Sequence, residues 1–228
     1  MRLSKAELAS SWRTFEYIVV DIEGSGAQHK ENEGIVEISL IVVSDGCVTQ
    51  ERFTKLINPE VKIPIFITKV HGIRNKDVES APVFSQVKHD VEKMLGTRIL
   101  VAHNAPVERR MFQLKMPEHG FPAIVDTMKM SKTLDLDVAK YDLDSIASYF
   151  DIPRKIEDSL SGHRRHRAYY DALLTAHLFV IMAHELLSPS GTLGELLEMC
   201  SIPCSPKEDD TRPPESDLQQ NKSQMNLF

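Results

Sequence analysis

Three short segments of this chain deliver acidic residues, and their pattern makes sense only if the fold gathers them. Asp21 and Glu23 end an apolar run, Tyr17-Ile18-Val19-Val20, and are followed by Gly24-Ser25-Gly26. Glu108 closes a second segment, His103-Asn104-Ala105-Pro106-Val107, and Asp171 ends a third that includes His166. Asp21 and Glu23 stand two apart on an expected strand, so both side chains leave the same face. Asp171 lies in a pattern of Ala168, Ala172, Ala176 and Phe179 that suits a helix packed on a sheet. On one helix, positions 166 and 171 would diverge by roughly 140°, so His166 is expected in the preceding loop. Converging carboxylates of this kind suit Mg²⁺ or Mn²⁺ rather than zinc, and equip a site to hydrolyse a phosphodiester.

The 228 residues are enough for one well-buried domain with a tail to spare. No apolar run approaches the ~20 residues of a membrane span. The opening Met1-Arg2-Leu3-Ser4-Lys5 has no secretory pattern, so the expected location is the cytoplasm, with no membrane partner. Cys47, Cys200 and Cys204 have no zinc-ligand spacing and read as free thiols. A net charge of −6 argues against nucleic-acid binding through a general basic field. Two basic runs, His163-Arg164-Arg165-His166-Arg167 and Arg109-Arg110, flank the acidic motifs and are expected to meet phosphate.

Strands are expected over Tyr17–Asp21, Gly34–Val43, Val48–Ile57, Ile99–Ala102 and Ala123–Val125, the second and third forming a hairpin turning at Ser44-Asp45-Gly46. Helices are expected over Val83–Leu95, Pro106–Lys115, Asp126–Leu134, Asp142–Phe150 and Ala168–Leu187, with Asn104 capping the second. A meander followed by alternating helices and strands gives a layered α/β domain around a mixed sheet. Residues 1–200 are the expected domain. Residues 201–223 are rich in Pro, Ser and charge and are expected to be a disordered linker.

The three acidic segments resemble the motifs of the DnaQ-like 3′→5′ exonucleases of the DEDDh type, from about Tyr17 to Leu187. Ile35-Val36-Glu37-Ile38, Asn58-Pro59 and His71-Gly72-Ile73 add to the likeness. The resemblance implies an RNase H-like fold with a central five-stranded mixed sheet flanked by helices. It implies a nuclease that releases nucleoside 5′-monophosphates from nucleic acid 3′ ends, with DNA favoured over RNA. Two Mg²⁺ or Mn²⁺ ions would be bridged by Asp21, with Glu23 and Asp171 completing the tighter site. Glu108 would act at the looser metal, and His166 would accept a proton from the attacking water. Gly24, Ser25, His71, His103 and Asn104 are the expected contacts of the terminal nucleotide.

Three positions depart from the family pattern, one of them Ala27, where relatives often carry a leucine. Val107-Glu108 stands where Phe-Asp is usual, which lengthens a carboxylate arm and removes an aromatic stacking surface. An active enzyme with an altered end-pocket is expected; the alternatives are RNA trimming and an inactive end-binding module. At the other end of the chain, Gln224-Met225-Asn226-Leu227-Phe228 resembles the short peptide that inserts into the bacterial sliding β-clamp. Gln224, Leu227 and Phe228 are the expected contacts, on a tether reaching roughly 25–30 Å.

Overall fold

Alternation along the strands sorts the core into two layers and sets the position of the acidic residues. The computed structural model describes residues 3–26 and 32–205. Its sheet is built from β1 (Tyr17–Gly24), β2 (Ile35–Ser44), β3 (Cys47–Leu56), β4 (Ile99–Ala102), β5 (Ile124–Asp126) and β6 (Ser201–Ile202). The order across the sheet is β3-β2-β1-β4-β5-β6. β1 pairs antiparallel with β2 and parallel with β4; β5 runs parallel to β4 and antiparallel to β6. Asp45 and Gly46 join β2 to β3 with φ of 53° and 70°, the left-handed pair that a two-residue hairpin requires.

On one face, Tyr17, Val19, Ile41, Val101 and Val125 pack with Leu174, Phe179 and Met182 of the long helix Ala168–Leu186. On the other, Ile18, Val20, Leu40 and Leu100 pack with Val87, Val91 and Leu95 of helix Phe84–Leu95, and with Phe112 of helix Pro106–Lys115. Because side chains alternate, Asp21 and Glu23 continue the row of Tyr17 and Val19. They therefore emerge on the face that the long helix covers, at the open end of β1.

The sheet has six strands, not five. Ser201 and Ile202, assigned by composition to the linker, pair with Val125 and Ile124. The segment after them is also held: Arg109 donates to the Pro203 carbonyl at 2.9 Å and Gln113 to the Cys204 carbonyl at 3.3 Å. Asn104 does not cap helix Pro106–Lys115. It adopts a left-handed φ of 59°, and Ala105 stands at the cap with no side-chain bond. Residues 206–228, including Gln224, Leu227 and Phe228, lie outside the described residues.

Candidate active site

β1 sends Asp21 and Glu23 toward the first turn of helix Ala168–Leu186, where Asp171 is buried. Oxygen atoms of all three carboxylates lie within 4.8 Å of one another. Packing like charges so closely costs free energy unless protons or a cation offset it. Burial, followed by the charges of Asp171 and Glu23, raises the Asp21 carboxyl well above its ordinary value. Burial and Asp171 push Glu23 up to about 7, and burial pushes Asp171 up to about 6. A hydrogen bond from the His166 backbone N–H works in the opposite direction on Asp171. Hard oxygen donors, closely set and short of positive charge, fit a divalent cation.

Glu108 is buried on helix Pro106–Lys115 and is not one of the three converging residues. Its charge is felt by Asp21, and the charges of Asp126 and Glu23 are felt by Glu108 in turn. Burial, the largest influence, pushes its carboxyl up to about 8, and its Oε2 is enclosed without a hydrogen-bond partner. A buried carboxyl oxygen left unsatisfied is costly. His166 is exposed in the loop before the long helix, with a left-handed φ of 58°. Its backbone link to Asp171 sets it at the rim of the acidic cluster.

The expected nucleotide contacts fare differently. The Ser25 backbone N–H donates to the Gly34 carbonyl at 2.8 Å, and its Oγ accepts from the Gly34 N–H at 2.9 Å. Ser25 is buried and occupied in holding the turn. A Cβ on Gly24 would meet Glu33 at 2.3 Å, so glycine lets Glu33 close over the strand end and pair with Arg110. Both ring nitrogens of His103 are engaged, Nδ1 with Thr127 Oγ1 at 3.0 Å and Nε2 with the Tyr141 carbonyl at 3.1 Å. His103 therefore has neither ring nitrogen free for a nucleotide. Asn104 is exposed, and its backbone N–H donates to Asp126 Oδ1 at 3.0 Å. Buried His71 accepts from the Ile73 N–H through Nδ1 at 3.0 Å. Its Nε2 is enclosed without a hydrogen-bond partner.

The basic runs have partners within the chain. Arg164 donates to the His71 carbonyl, Arg165 pairs with Asp144, and Arg167 pairs with Glu37. Arg109 is buried against Pro203. Long-range partners occupied these cations, and nothing in the local pattern announced them. Glu37 itself is a residue whose role sequence reasoning missed. It lies directly across from Glu23 in the β1–β2 register. Its carboxylate accepts from Arg167 Nε at 2.8 Å and from the Ala168 backbone N–H at 2.9 Å. It thereby fixes the start of the helix that carries Asp171. The signal available was a glutamate inside an otherwise apolar strand.

Residues 18–179 match the exonuclease family described as RNase_T. The chain belongs to the exonuclease family. The family suggested by the three motifs is thus the one matched along most of the chain. Relatives include the PolC-type DNA polymerase III of Caldanaerobacter subterraneus, 31% identical over 75% of this chain and 12% of its own length. The 3′-5′ exonuclease DinG of Bacillus subtilis is 30% identical over 79% of this chain and 19% of its own. This chain therefore spans less than a fifth of either protein. The DNA polymerase III epsilon subunit of Rickettsia prowazekii is 30% identical, with 72% of each chain covered. Among solved structures, Exonuclease X in complex with 5′ overhanging duplex DNA aligns with a TM-score of 0.59 at 23% identity. That alignment covers 80% of this chain and 98% of Exonuclease X. The nuclease domain of 3′hExo, a DEDDh family member bound to rAMP, gives 0.59 at 17%, over 78% of this chain and 95% of its own. These likenesses establish the RNase H-like fold. Among the described residues, no helix is long and apolar enough to cross a membrane.

Proposed function

We propose that this chain is a metal-dependent 3′→5′ exonuclease that removes nucleoside 5′-monophosphates from nucleic acid 3′ ends, with DNA the favoured substrate. The observation that carries the reading is the convergence of Asp21, Glu23 and Asp171 within 4.8 Å beside the His166 loop. Asp21, Glu23 and Asp171 would hold Mg²⁺ or Mn²⁺, two ions in all, with Glu108 reaching the second through its unpartnered oxygen. Bound there, a divalent metal would supply the charge that acidifies a water and offsets the negative charge developing on the phosphate. His166, on its exposed loop, would accept the proton of the attacking water. The Glu37–Arg167 pair keeps Asp171 and the His166 loop in register with β1. The names of the polymerase relatives favour DNA and a place in replication or repair.

The test is a labelled single strand incubated with Mg²⁺ or Mn²⁺, DNA and RNA side by side. Stepwise shortening from the 3′ end is expected, abolished by chelation and by Asp21→Ala. Equal inertness of wild type and Asp21→Ala on both polymers would leave an end-binding module in its place. Preferential shortening of the RNA would move the substrate to RNA.

A second, independent proposal concerns partners. The pattern Gln224-x-x-Leu227-Phe228 supports recruitment to a bacterial sliding β-clamp through residues 224–228. Leu227 and Phe228 would be the buried anchors and Gln224 would set orientation. Calorimetry with the clamp should show binding by the full chain and none after deletion of residues 224–228. Equal binding by both would rule the peptide out.

A further inference from the structure

The loop that carries His166 is fastened through the neighbours of the histidine and not through its ring. His163 lies against the Tyr169 ring of the long helix, with centroids 4.3 Å apart. Arg164 donates to the His71 carbonyl at 3.1 Å, at the end of helix Ile65–His71. Arg165 pairs with Asp144 in the first turn of helix Leu143–Tyr149, and Arg167 pairs with Glu37 of β2. Four side chains thus reach four different elements. The exposed His166 ring makes no hydrogen bond or ion pair among the described residues.

The backbone explains why so many anchors are needed. His166 has a left-handed φ of 58°, which few residues other than glycine adopt. Such a conformation persists where the surroundings over-determine it. The His166 N–H bonds to Asp171, and the flanking arginines draw the chain outward on either side. Arg164 comes so close to Gly72 that its guanidinium fills the place of a Cβ there. That approach requires a glycine, and Gly72 itself has a φ of 73°.

Arg167 and Glu37 fix the start of the long helix, which lies beyond the histidine. On the other side, only His163, Arg164 and Arg165 hold the loop. The Arg165 and Asp144 side chains are 56% and 31% exposed, so their pair adds little to folding stability. Its effect on a reaction is of another order. A proton acceptor works only within hydrogen-bond reach of its water, and misplacement by about 1 Å can cost up to ~10²-fold in rate. The Asp144 carboxylate also opposes a phosphate at Arg165, because it already meets that charge.

We infer that Arg164, Arg165 and Asp144 are positioning residues for His166, holding its loop from two sides so that only the imidazole ring remains to meet the attacking water. The inference rests on the exonuclease reading for what His166 does, but not for how its loop is held.

Kinetics on a labelled single strand separate positioning from phosphate contact. Arg165→Ala and Asp144→Ala should each lower kcat by roughly three- to five-fold, the upper end for an exposed ion pair, with KM unchanged. Arg164→Ala should act in the same way, and Arg165→Lys should recover most of the rate. The Asp144→Ala, Arg165→Ala double variant should be no slower than either single one. Arg165 also lowers the Asp171 proton affinity by its charge. Asp144→Ala leaves that charge in place, so a slowed Asp144→Ala enzyme reports position alone. In a His166→Ala chain, none of these changes should slow the reaction further. A raised KM in Arg165→Ala with kcat intact, or a faster Asp144→Ala enzyme, would make Arg165 a phosphate contact and overturn the inference. An undiminished loss in the His166→Ala background would overturn it too. Hydrogen exchange over residues 161–167 reads the anchors without turnover and should quicken in Asp144→Ala and Arg165→Ala. Unchanged exchange in both would reject the anchoring. A wild type that never cuts, with exchange still quickened in the variants, would reject the exonuclease reading alone.

Discussion

Glu37 and Arg167 are 130 residues apart, and the Glu37 carboxylate receives the Arg167 guanidinium through two nitrogens. The same carboxylate takes the Ala168 N–H, so one side chain joins the strand beside Glu23 to the helix that bears Asp171. Glu37 is buried while Arg167 is partly open to solvent. Removing one partner strands the other, whereas removing both does not. Glu37→Ala should lower unfolding free energy by about 2 kcal/mol, the range of hydrogen bonds to charged groups. The Glu37→Ala, Arg167→Met double variant should lose less than Glu37→Ala alone. Urea unfolding of the set decides it; additive losses would mean the two residues act independently.

The carboxylate cluster predicts separable effects on metal binding and turnover. Asp21→Asn and Asp171→Asn remove donor oxygens from the trio and should abolish Mn²⁺ binding in calorimetry while cutting activity by roughly 10²-fold or more. His166→Ala should cut turnover by about 10²–10⁴-fold, the range for a lost general base, with Mn²⁺ affinity nearly unchanged. A His166→Ala chain that fails to bind Mn²⁺ would make the histidine a ligand instead.

Stability should respond to pH and metal together. Asp21, Glu23, Asp171 and Glu108 all bind protons more tightly in the folded chain than at their ordinary values of 3.8 or 4.5. For such raised acids the folded state carries the extra protons. Their contribution to stability is full below the ordinary values and is lost as pH rises through about 6, 7 and 8. Without metal, Tm should therefore fall between pH 5 and pH 8. A divalent cation replaces the protons, so added Mn²⁺ should raise Tm more at pH 8 than at pH 5. Scanning fluorimetry in chelator and in Mn²⁺ measures both; a metal-free Tm independent of pH would refute the linkage.

Legibility in the sequence followed the range of the interactions. Helix Pro106–Lys115 and strand Ile99–Ala102 were readable at their bounds because Pro106 at a first turn and a short β-branched run are local signals. The Asp45-Gly46 hairpin was local as well. β6 was not legible: Ser201–Ile202 is two residues long, precedes Pro203, and is a strand only because β5 offers an edge. Helix Ile65–His71 is a single short helix, too brief for periodicity, although Pro64 before it and Gly72 at φ 73° after it mark its ends. In the site, same-face alternation delivered Asp21 and Glu23 from sequence alone. The partners of Arg164, Arg165 and Arg167 come from distant segments, so a basic run by itself did not show them.

Glu108 offers the sharpest test of the site because its two oxygens differ in what they can do. One end of the carboxyl is enclosed without a partner, and burial holds its proton up to about pH 8. Glu108→Gln keeps the shape and removes the ionisation, so it should raise the metal-free Tm by a margin that grows from above pH 4.5 to about pH 8, the span in which the unfolded carboxyl ionises while the buried one keeps its proton. The same variant should lower turnover, because a neutral amide cannot help to hold a second cation. Glu108→Asp shortens the arm to the family's usual length and should retain or raise activity. Melting curves at pH 6 and pH 9, paired with exonuclease rates, separate these effects. If Glu108→Asp is as inactive as Asp21→Ala, the site is tuned to the longer side chain. If Glu108→Gln is fully active with an unchanged Tm at both pH values, Glu108 takes no part in the site.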